Sequence, residues 1–416
     1  KGAPEVILNM CSYIELDGRV RRLLKKDIEL ISEVNHVMAQ SALRVLAMAY
    51  KKGRDMYFIG LMGMIDPPKE GVNEAIELCK QAGIRAVMIT GDHPLTAAAI
   101  GKQVGLTGEV ITGQDLDKYD EEEMKNVVKK YNIYARTSST HKVIILNALQ
   151  ANGEIVAMTG DGVNDAPAVK KADIGVAMSL KGTDVTRDTA SMVLTDDNFS
   201  SIVAAIKHGR IVYDNIKKFI EYLLSANTAE VGVILFALLL GMPLPLVPLQ
   251  LLWINLMTDS WPALALGVDK PAEDVMKRKP RNPKDTLLKD IKPMMIITGI
   301  LGTILVLGVF YWGLKNKDLT EARTMALSTM IFFELFRVYS CKSRRPFDNL
   351  FTNKWLNLAV LFSFLLQLAV IYTPLNVLFK TTALSLKELG TSLIFSSLGF
   401  FSIEIWKQFR KKQQVF

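Results

Sequence analysis

Ala157-Met158-Thr159-Gly160-Asp161-Gly162-Val163-Asn164-Asp165-Ala166-Pro167-Ala168 is the stretch on which the reading of this chain turns. The residues leading into it, Glu154-Ile155-Val156-Ala157-Met158, form a mostly apolar run of strand length. On its far side Ala166-Pro167-Ala168-Val169 starts a helix with Pro in the first turn. The polar segment is therefore expected at the carboxyl end of a strand, where open α/β sheets bind ligands. Two glycines free the backbone for a tight turn. Asp161 and Asp165 bring two carboxylates to one loop, with the amide of Asn164 between them. Such hard oxygens suit Mg²⁺ beside a phosphate. A lone Thr-Gly-Asp would read as a solvated turn, but twelve residues in strand–loop–helix context read as a site.

Composition divides the chain. Half of the 416 residues are hydrophobic and the mean hydropathy is +0.21, too apolar for a wholly soluble protein and too charged for a wholly embedded one. The long apolar runs follow Asn215, so a soluble α/β part precedes a membrane part. The net charge of +8 does not point to nucleic acid, because the basic residues cluster beside the apolar spans. Cys11, Cys79 and Cys341 lie far apart and make neither a metal spacing nor a disulfide framework, which fits a reducing cytosol. The chain opens on Lys1-Gly2 without a signal peptide, as though inside a domain, and is expected to be a piece of a longer protein.

In the soluble half, helical spacing runs over 26–41, and strands are expected over 43–50 and 56–64. Lys1 and Arg44 are possible phosphate contacts, although isolated basic residues are usually solvated. Asp66-Pro67-Pro68 forms a rigid joint. A helix over 72–82 capped by Gly83, then a strand over 85–89, lead to a second carboxyl-end loop, Thr90-Gly91-Asp92, with a helix over 94–104 beyond it. Thr90 offers a hydroxyl and neighbouring N–H groups to a phosphoryl oxygen. Ala135-Arg136-Thr137 precedes a helix expected over 142–149, with Lys142 in its first turn as a cation for phosphate charge. Further strands are expected over 174–178 and 191–194. Short strands alternating with helices indicate a doubly wound parallel sheet. Missing is the nucleophile: no Asp-Lys-Thr-Gly occurs in these residues.

In the membrane half, residues 200–240 stay helical without Pro, roughly 60 Å at 1.5 Å per residue, about twice a bilayer core. This predicts one helix running from the soluble domain into the membrane, able to couple the two. Further spans are expected over 247–266, 294–314, 324–339, 356–372 and 391–406, six in all. Lys277, Arg278, Lys279, Arg281 and Lys284 follow the second span, Lys342, Arg344 and Arg345 the fourth, and Lys407, Arg410, Lys411 and Lys412 the sixth, so both ends are expected in the cytosol. Asn227 and Glu230 share a face of the first span, Asn255, Thr258 and Asp259 a face of the second, and Glu334 sits in the fourth. Ionisable groups in hydrocarbon are costly unless paired or liganded. Carboxylate, amide and hydroxyl oxygens together form a hard-cation site, Ca²⁺ above all, with interhelical hydrogen bonding as the bland alternative. No intramembrane Lys or Arg is evident to neutralise them: Arg337, one turn beyond Glu334, is expected to snorkel to the cytosolic surface. Pro243, Pro245, Pro248 and Pro262 are expected to unwind backbone and free carbonyls as ligands.

Lys1-Gly2-Ala3-Pro4-Glu5, Asp66-Pro67-Pro68, Met88-Ile89-Thr90-Gly91-Asp92 and the 159–167 loop resemble the ordered motif set of P-type cation-transporting ATPases, from end to end of the chain. Ser225-Ala226-Asn227-Thr228-Ala229-Glu230 and Leu252-Trp253-Ile254-Asn255-Leu256-Met257-Thr258-Asp259 are similar to the sarco/endoplasmic-reticulum type of Ca²⁺-ATPase, and Glu334 fits the same type. The resemblance implies a haloacid-dehalogenase-like doubly wound parallel sheet followed by a six-helix transmembrane domain. It implies three parts: residues 1–65 as the end of a nucleotide-binding domain, 66–210 as a phosphorylation domain and 211–416 as the membrane domain. It implies ATP-driven Ca²⁺ transport through an aspartyl phosphate. Asp161 would hold Mg²⁺ with Asn164 and Asp165 in support; Thr90, Gly91 and Asp92 would meet the phosphoryl group, and Lys142 its charge. Lys1, Arg44 and Arg136 would contact ATP. Asn227, Glu230, Thr258, Asp259 and Glu334 would form one Ca²⁺ site, Asn255 and Asp259 part of a second, and protons would return on the carboxylates.

The phosphorylated Asp, the actuator domain and the first four spans of such a pump do not occur here, so an N-terminal part of the same pump is an expected partner, with membrane lipid. The short connections look bacterial or archaeal, which would place the protein in the plasma membrane. Alternatives are a pump for Na⁺ or another monovalent cation, a membrane-anchored haloacid-dehalogenase-like phosphatase without transport, and a scaffold that binds Mg²⁺ or nucleotide without turnover.

Overall fold

The computed structural model describes residues 1–413 except 42, 65, 66, 272–274 and 344, with backbone alone over 410–413. Asp66 of the proline joint, Arg344, and the side chains of Arg410, Lys411 and Lys412 thus lie outside the described residues. The chain divides into two compact units, Lys1–Lys207 with Met276–Pro280, and His208–Val275 with Arg281–Phe416.

The first unit opens with α1 (Pro4–Met10), β1 (Tyr13–Leu16), β2 (Arg19–Arg22), α2 (Lys25–Gln40), β3 (Arg44–Lys52) and β4 (Asp55–Met64). The strands form one sheet in the order β2-β1-β4-β3. Asp17 and Gly18 both take positive φ, 50° and 76°, the geometry of a tight two-residue hairpin. Ile7, Leu8, Ile14, Ala47 and Phe58 fill the core beneath.

Then follow α3 (Val72–Gln81), β5 (Met88–Ile89), α4 (Pro94–Gln103), β6 (Val110–Thr112), α5 (Gly113–Leu116), α6 (Glu121–Lys130), β7 (Ile133–Ala135), α7 (Ser139–Ala151), β8 (Ala157–Gly160), α8 (Ala166–Lys171), β9 (Ile174–Met178), α9 (Asp184–Thr189) and β10 (Met192–Leu194). Strands and helices alternate as expected and every pairing is parallel. The single wound sheet is not continuous, however: hydrogen bonds build two three-stranded sheets, β5-β7-β6 and β10-β9-β8. Ile89 of β5 still packs against Met158, Ala168 and Val169, so side chains bridge the two sheets where no ladder does. A strand persists only where a neighbour takes its N–H and C=O groups. That is why β5 shrinks to two residues and β8 begins at Ala157 rather than Glu154.

The second unit is helical. It holds most of α10 (Phe199–Leu239), one uninterrupted 41-residue helix as the sequence predicted. Next come α11 (Pro248–Trp253), a π-helical turn over Ile254–Thr258, and α12 (Ser260–Gly267). They are followed by α13 (Lys292–Asn316), α14 (Leu319–Lys342), α15 (Lys354–Tyr372), α16 (Leu375–Phe379) and α17 (Leu386–Gln413). Among the described residues, four helices are long and apolar enough to cross a membrane: Phe199–Leu239, Lys292–Asn316, Lys354–Tyr372 and Leu386–Phe409. The other two of the six expected spans are helical but fall short of that measure. The second is broken by the π turn. The fourth, within α14, carries Thr324, Ser328, Thr329, Glu334 and Arg337, and every residue from Thr324 to Leu335 is buried. A helix enclosed by other helices need not be apolar, because it never meets lipid. Close approach rests on small residues: a Cβ at Gly302 would lie 2.7 Å from the Phe333 ring and 3.0 Å from Ala229 Cβ.

Candidate functional site

In the first unit, the loops after β5, β7 and β8 carry the polar residues. Thr90 Oγ1 donates to Asp92 Oδ2 (2.9 Å) and accepts from the Asp92 N–H (3.1 Å), closing the Thr90-Gly91-Asp92 turn on itself. The next loop clasps it: Arg136 N–H donates to Asp92 O (2.9 Å), and the Thr137 N–H and hydroxyl both donate to Thr90 O (3.1 and 3.0 Å). Arg136 does so at φ 48°, with its side chain exposed.

Lys142 Nζ donates to Asp165 Oδ1 at 2.5 Å, and Asp165 is buried. Helix α7 starts at Ser139, capped by Ser138, three residues before the expected start, so Lys142 is its fourth residue and closes the opening turn. Asp165 Oδ2 accepts the Asp161 N–H at 3.4 Å across a one-turn 3₁₀ helix, Val163–Asp165. Asp161 and Asn164 are exposed. The two carboxylates therefore differ: Asp165 is committed to the lysine, whereas Asp161 presents its oxygens to solvent. Gly160 allows this approach, since a Cβ there would meet Asp165 Cβ at 2.5 Å and Val169 Cγ2 at 2.9 Å.

Sequence reasoning missed the support beneath Asp161. Thr183 N–H donates to Asp161 O (3.1 Å), Thr186 Oγ1 donates to Gly162 O (2.9 Å), and the two hydroxyls share a hydrogen bond of 2.8 Å. Asp197 in turn holds the segment before Thr183, accepting N–H bonds from Ser179 (2.6 Å), Leu180 (3.1 Å) and Lys181 (2.9 Å). Burial alone would raise its pKa, but those bonds and nearby Lys69 outweigh it and hold the carboxyl below its ordinary value. The Thr183-x-x-Thr186 spacing of an N-cap was the available signal.

Lys1 and Arg44 are exposed on the four-stranded sheet, where Gly2 bridges Ala47. No hydrogen bond among the described residues joins either to the loops above.

In the second unit, Glu230 of α10, Asp259 after the π turn and Glu334 of α14 are all buried, and each offers an oxygen within 4.8 Å of the others. Asn255 Nδ2 donates to both Glu230 oxygens (3.0 and 2.8 Å), and Tyr222 OH donates to Asp259 Oδ1 (2.9 Å). Among the described residues, none hydrogen-bonds Asp259 Oδ2 or either Glu334 oxygen. Buried carboxylate oxygens without donors, converging on one point, are the donor set of a hard cation.

Three expectations change here. Asn227 is exposed and bonded to none of these carboxylates, because its position in α10 turns away from the face that Glu230 buries. Arg337 does not snorkel. It is 1% exposed, donating to Tyr222 O (3.2 Å) and Ser225 Oγ (2.7 Å) and lying 3.9 Å from Glu221 Oε1, since the middle of α14 is enclosed by other helices. Pro262 does leave the Thr258 carbonyl without its usual N–H, but Ser363 Oγ donates to it at 3.0 Å. The Thr258 hydroxyl meanwhile bonds Ile254 O of its own helix.

Residues 243–409 match the family of the cation transporting ATPase C-terminus, and residues 16–173 match the haloacid dehalogenase-like hydrolases. The chain is 45% identical over 411 residues to a calcium-transporting ATPase of Bacillus subtilis, covering 92% of this chain and 46% of that protein. It is 42% identical over 446 residues to calcium-transporting ATPase 1 of Bacillus cereus, covering 99% and 50%. It is 37% identical over 424 residues to the human calcium-transporting ATPase type 2C member 1, covering 100% and 46%. The chain spans about half the length of the relatives it matches. With a haloacid-dehalogenase-like domain of parallel sheets leading into apolar helices of an integral membrane protein, it belongs to the P-type cation-transporting ATPases and corresponds to their C-terminal part.

Proposed function

We propose that this chain is the C-terminal part of an ATP-driven Ca²⁺ pump working through an aspartyl phosphate. One observation carries the reading: three buried carboxylates from three helical segments converge within 4.8 Å, with three of their oxygens unpartnered among the described residues. A divalent cation offsets such charge where a monovalent one would leave two carboxylates facing each other. Glu230, Asp259 and Glu334 are the first ligands in this reading. Asn255 orients Glu230, and Thr258 lies beside Asp259 in the chain. Asn255, Thr258 and Glu334 also carry the likeness to the reticulum type. Protons return on the same carboxylates.

In the cytosolic part, Mg²⁺ fits the donor set of the Asp161 loop: an exposed carboxylate to which no described residue hydrogen-bonds, steadied from below by Thr183 and Thr186. When bound, Mg²⁺ neutralises phosphate charge during transfer. Thr90, Gly91 and Asp92 are assigned to the phosphoryl group, the Thr90 hydroxyl exchanging its bond to Asp92 for one to a phosphoryl oxygen, and Lys142, held by Asp165, supplies fixed positive charge. Arg136, Lys1 and Arg44 are assigned to the nucleotide. The domains are taken as 1–65, 66–210 and 211–416. The nucleophilic Asp comes from an N-terminal part of the same pump, with the actuator domain and further spans. Loop charge supports a cytosolic position for both ends of this chain, at the plasma membrane if the source is prokaryotic.

The test is phosphoenzyme formation from labelled ATP in the full pump. Formation at micromolar Ca²⁺, lost in Glu230→Gln and Asp259→Asn, is expected. Formation driven by Na⁺ and indifferent to Ca²⁺ would overturn the choice of ion, and none under any ion would overturn the pump.

A further inference from the structure

His141 is the residue just before Lys142, and three observations single it out. First, it closes the cap of α7: the Ser138 N–H donates to His141 Nδ1 (3.1 Å), while the His141 N–H donates to Ser138 Oγ (3.4 Å). Glu or Gln usually fills that reciprocal position. Second, His141 Nε2 lies 2.9 Å from Asp117 Oδ1. An Nδ1 that accepts fixes the tautomer, so the proton sits on Nε2 and is donated to Asp117. Third, the ring lies flush on Gly113: a Cβ there would be 2.7 Å from His141 Nδ1 and Cε1 and 2.5 Å from Arg136 O. The imidazole is thus held at both nitrogens and across one edge.

We propose that His141 is a positioning residue that sets Lys142 against Asp165 and ties that ion pair to the Thr90 loop. The proposal rests on reading Lys142 as the cation that meets phosphoryl charge. The connection runs through bonds already described. Thr137 is fastened to Thr90 O, and Ser138 follows it in the chain. Lys142 N–H donates to Ser138 O at 3.2 Å, the first bond of the helix. Ser138 is therefore the joint between the Thr90 loop and the helix that carries Lys142, and His141 is the side chain that locks it. Without the imidazole the Ser138 N–H loses its acceptor and the opening turn of α7 frays.

The variants His141→Ala and His141→Gln in the full pump test this. Gln restores both contacts, its carbonyl accepting from Ser138 and its amide donating to Asp117. Two readouts are taken in parallel: amide hydrogen exchange over residues 138–142, and the single-turnover rate of phosphoenzyme formation with the KM for ATP. In His141→Ala, exchange should rise and the phosphorylation rate fall by about tenfold each, the scale of a lost helix cap, with KM for ATP unchanged. His141→Gln should recover both. Wild-type exchange in the Ala variant, or a Gln variant as impaired as Ala, would overturn the proposal. Exchange needs no turnover, so a wild-type pump that makes no phosphoenzyme would sink the pump reading while the exchange arm still decides His141.

Discussion

The Asn255 amide donates to both oxygens of Glu230, at 3.0 and 2.8 Å, fixing a carboxylate of α10 from the π turn. This is the arrangement of a residue that orients a ligand. Asn255→Ala should lower equilibrium Ca²⁺ affinity of the full pump by about 10- to 100-fold, the usual cost of losing such a partner. Calcium binding at wild-type affinity would mean that the amide only packs.

The Lys142–Asp165 pair is largely buried, so removing one partner strands the other. Lys142→Ala should destabilise the first unit by about 3 kcal/mol and abolish phosphoenzyme formation. Thermal unfolding and labelled-ATP phosphorylation report the two effects separately. A stable variant that still phosphorylates normally would remove Lys142 from the site.

At Gly160, space and not backbone freedom is what the site requires. Gly160→Ala should force Asp165 and Val169 apart at a cost of about 1–3 kcal/mol and raise the Mg²⁺ concentration needed for phosphorylation. An alanine variant with unchanged unfolding temperature and Mg²⁺ dependence would contradict the close contact.

Asp197 gives a pH signature. Its folded pKa lies below the ordinary value, so its stabilisation is present above that unfolded value and is lost as pH falls through the folded pKa. Wild type and Asp197→Asn should differ in denaturant midpoint near neutrality and converge in acid, below the usual carboxylate range. A gap that stays constant with pH would assign the difference to packing instead.

Local patterns were the legible part of this chain. The continuous α10 and strand β9 follow from uninterrupted periodicity and an apolar run, and the loops after β5 and β8 follow from Gly and Asp at strand ends. What depended on partners distant in sequence was not legible. The split of the sheet is decided by which strand finds a neighbour. The burial of Arg337 is decided by how many helices surround α14. The exposure of Asn227 is decided by the direction in which α10 packs, although its spacing from Glu230 is that of a shared face. The start of α7 was misplaced by three residues because a cap closed by His141 does not resemble the usual Ser-x-x-Glu signal. Thr183 and Thr186 passed unnoticed because their partners are backbone atoms of another loop.

The π turn over Ile254–Thr258 takes up one residue more than a regular turn without passing it on. Asp259 N–H reaches back five residues to Ile254 O at 3.0 Å, one more than an α-helix would use. The extra residue is absorbed inside the turn, so the helix on either side keeps its register. Removing Leu256 or Met257 would close the ladder at four, with Asp259 still stacked over Ile254. The same loss inside α10, which has no such turn, would swing everything beyond it by about 100° around the axis. Chain length is thus forgiving at the turn before Asp259 and unforgiving in the straight helix that carries Glu230.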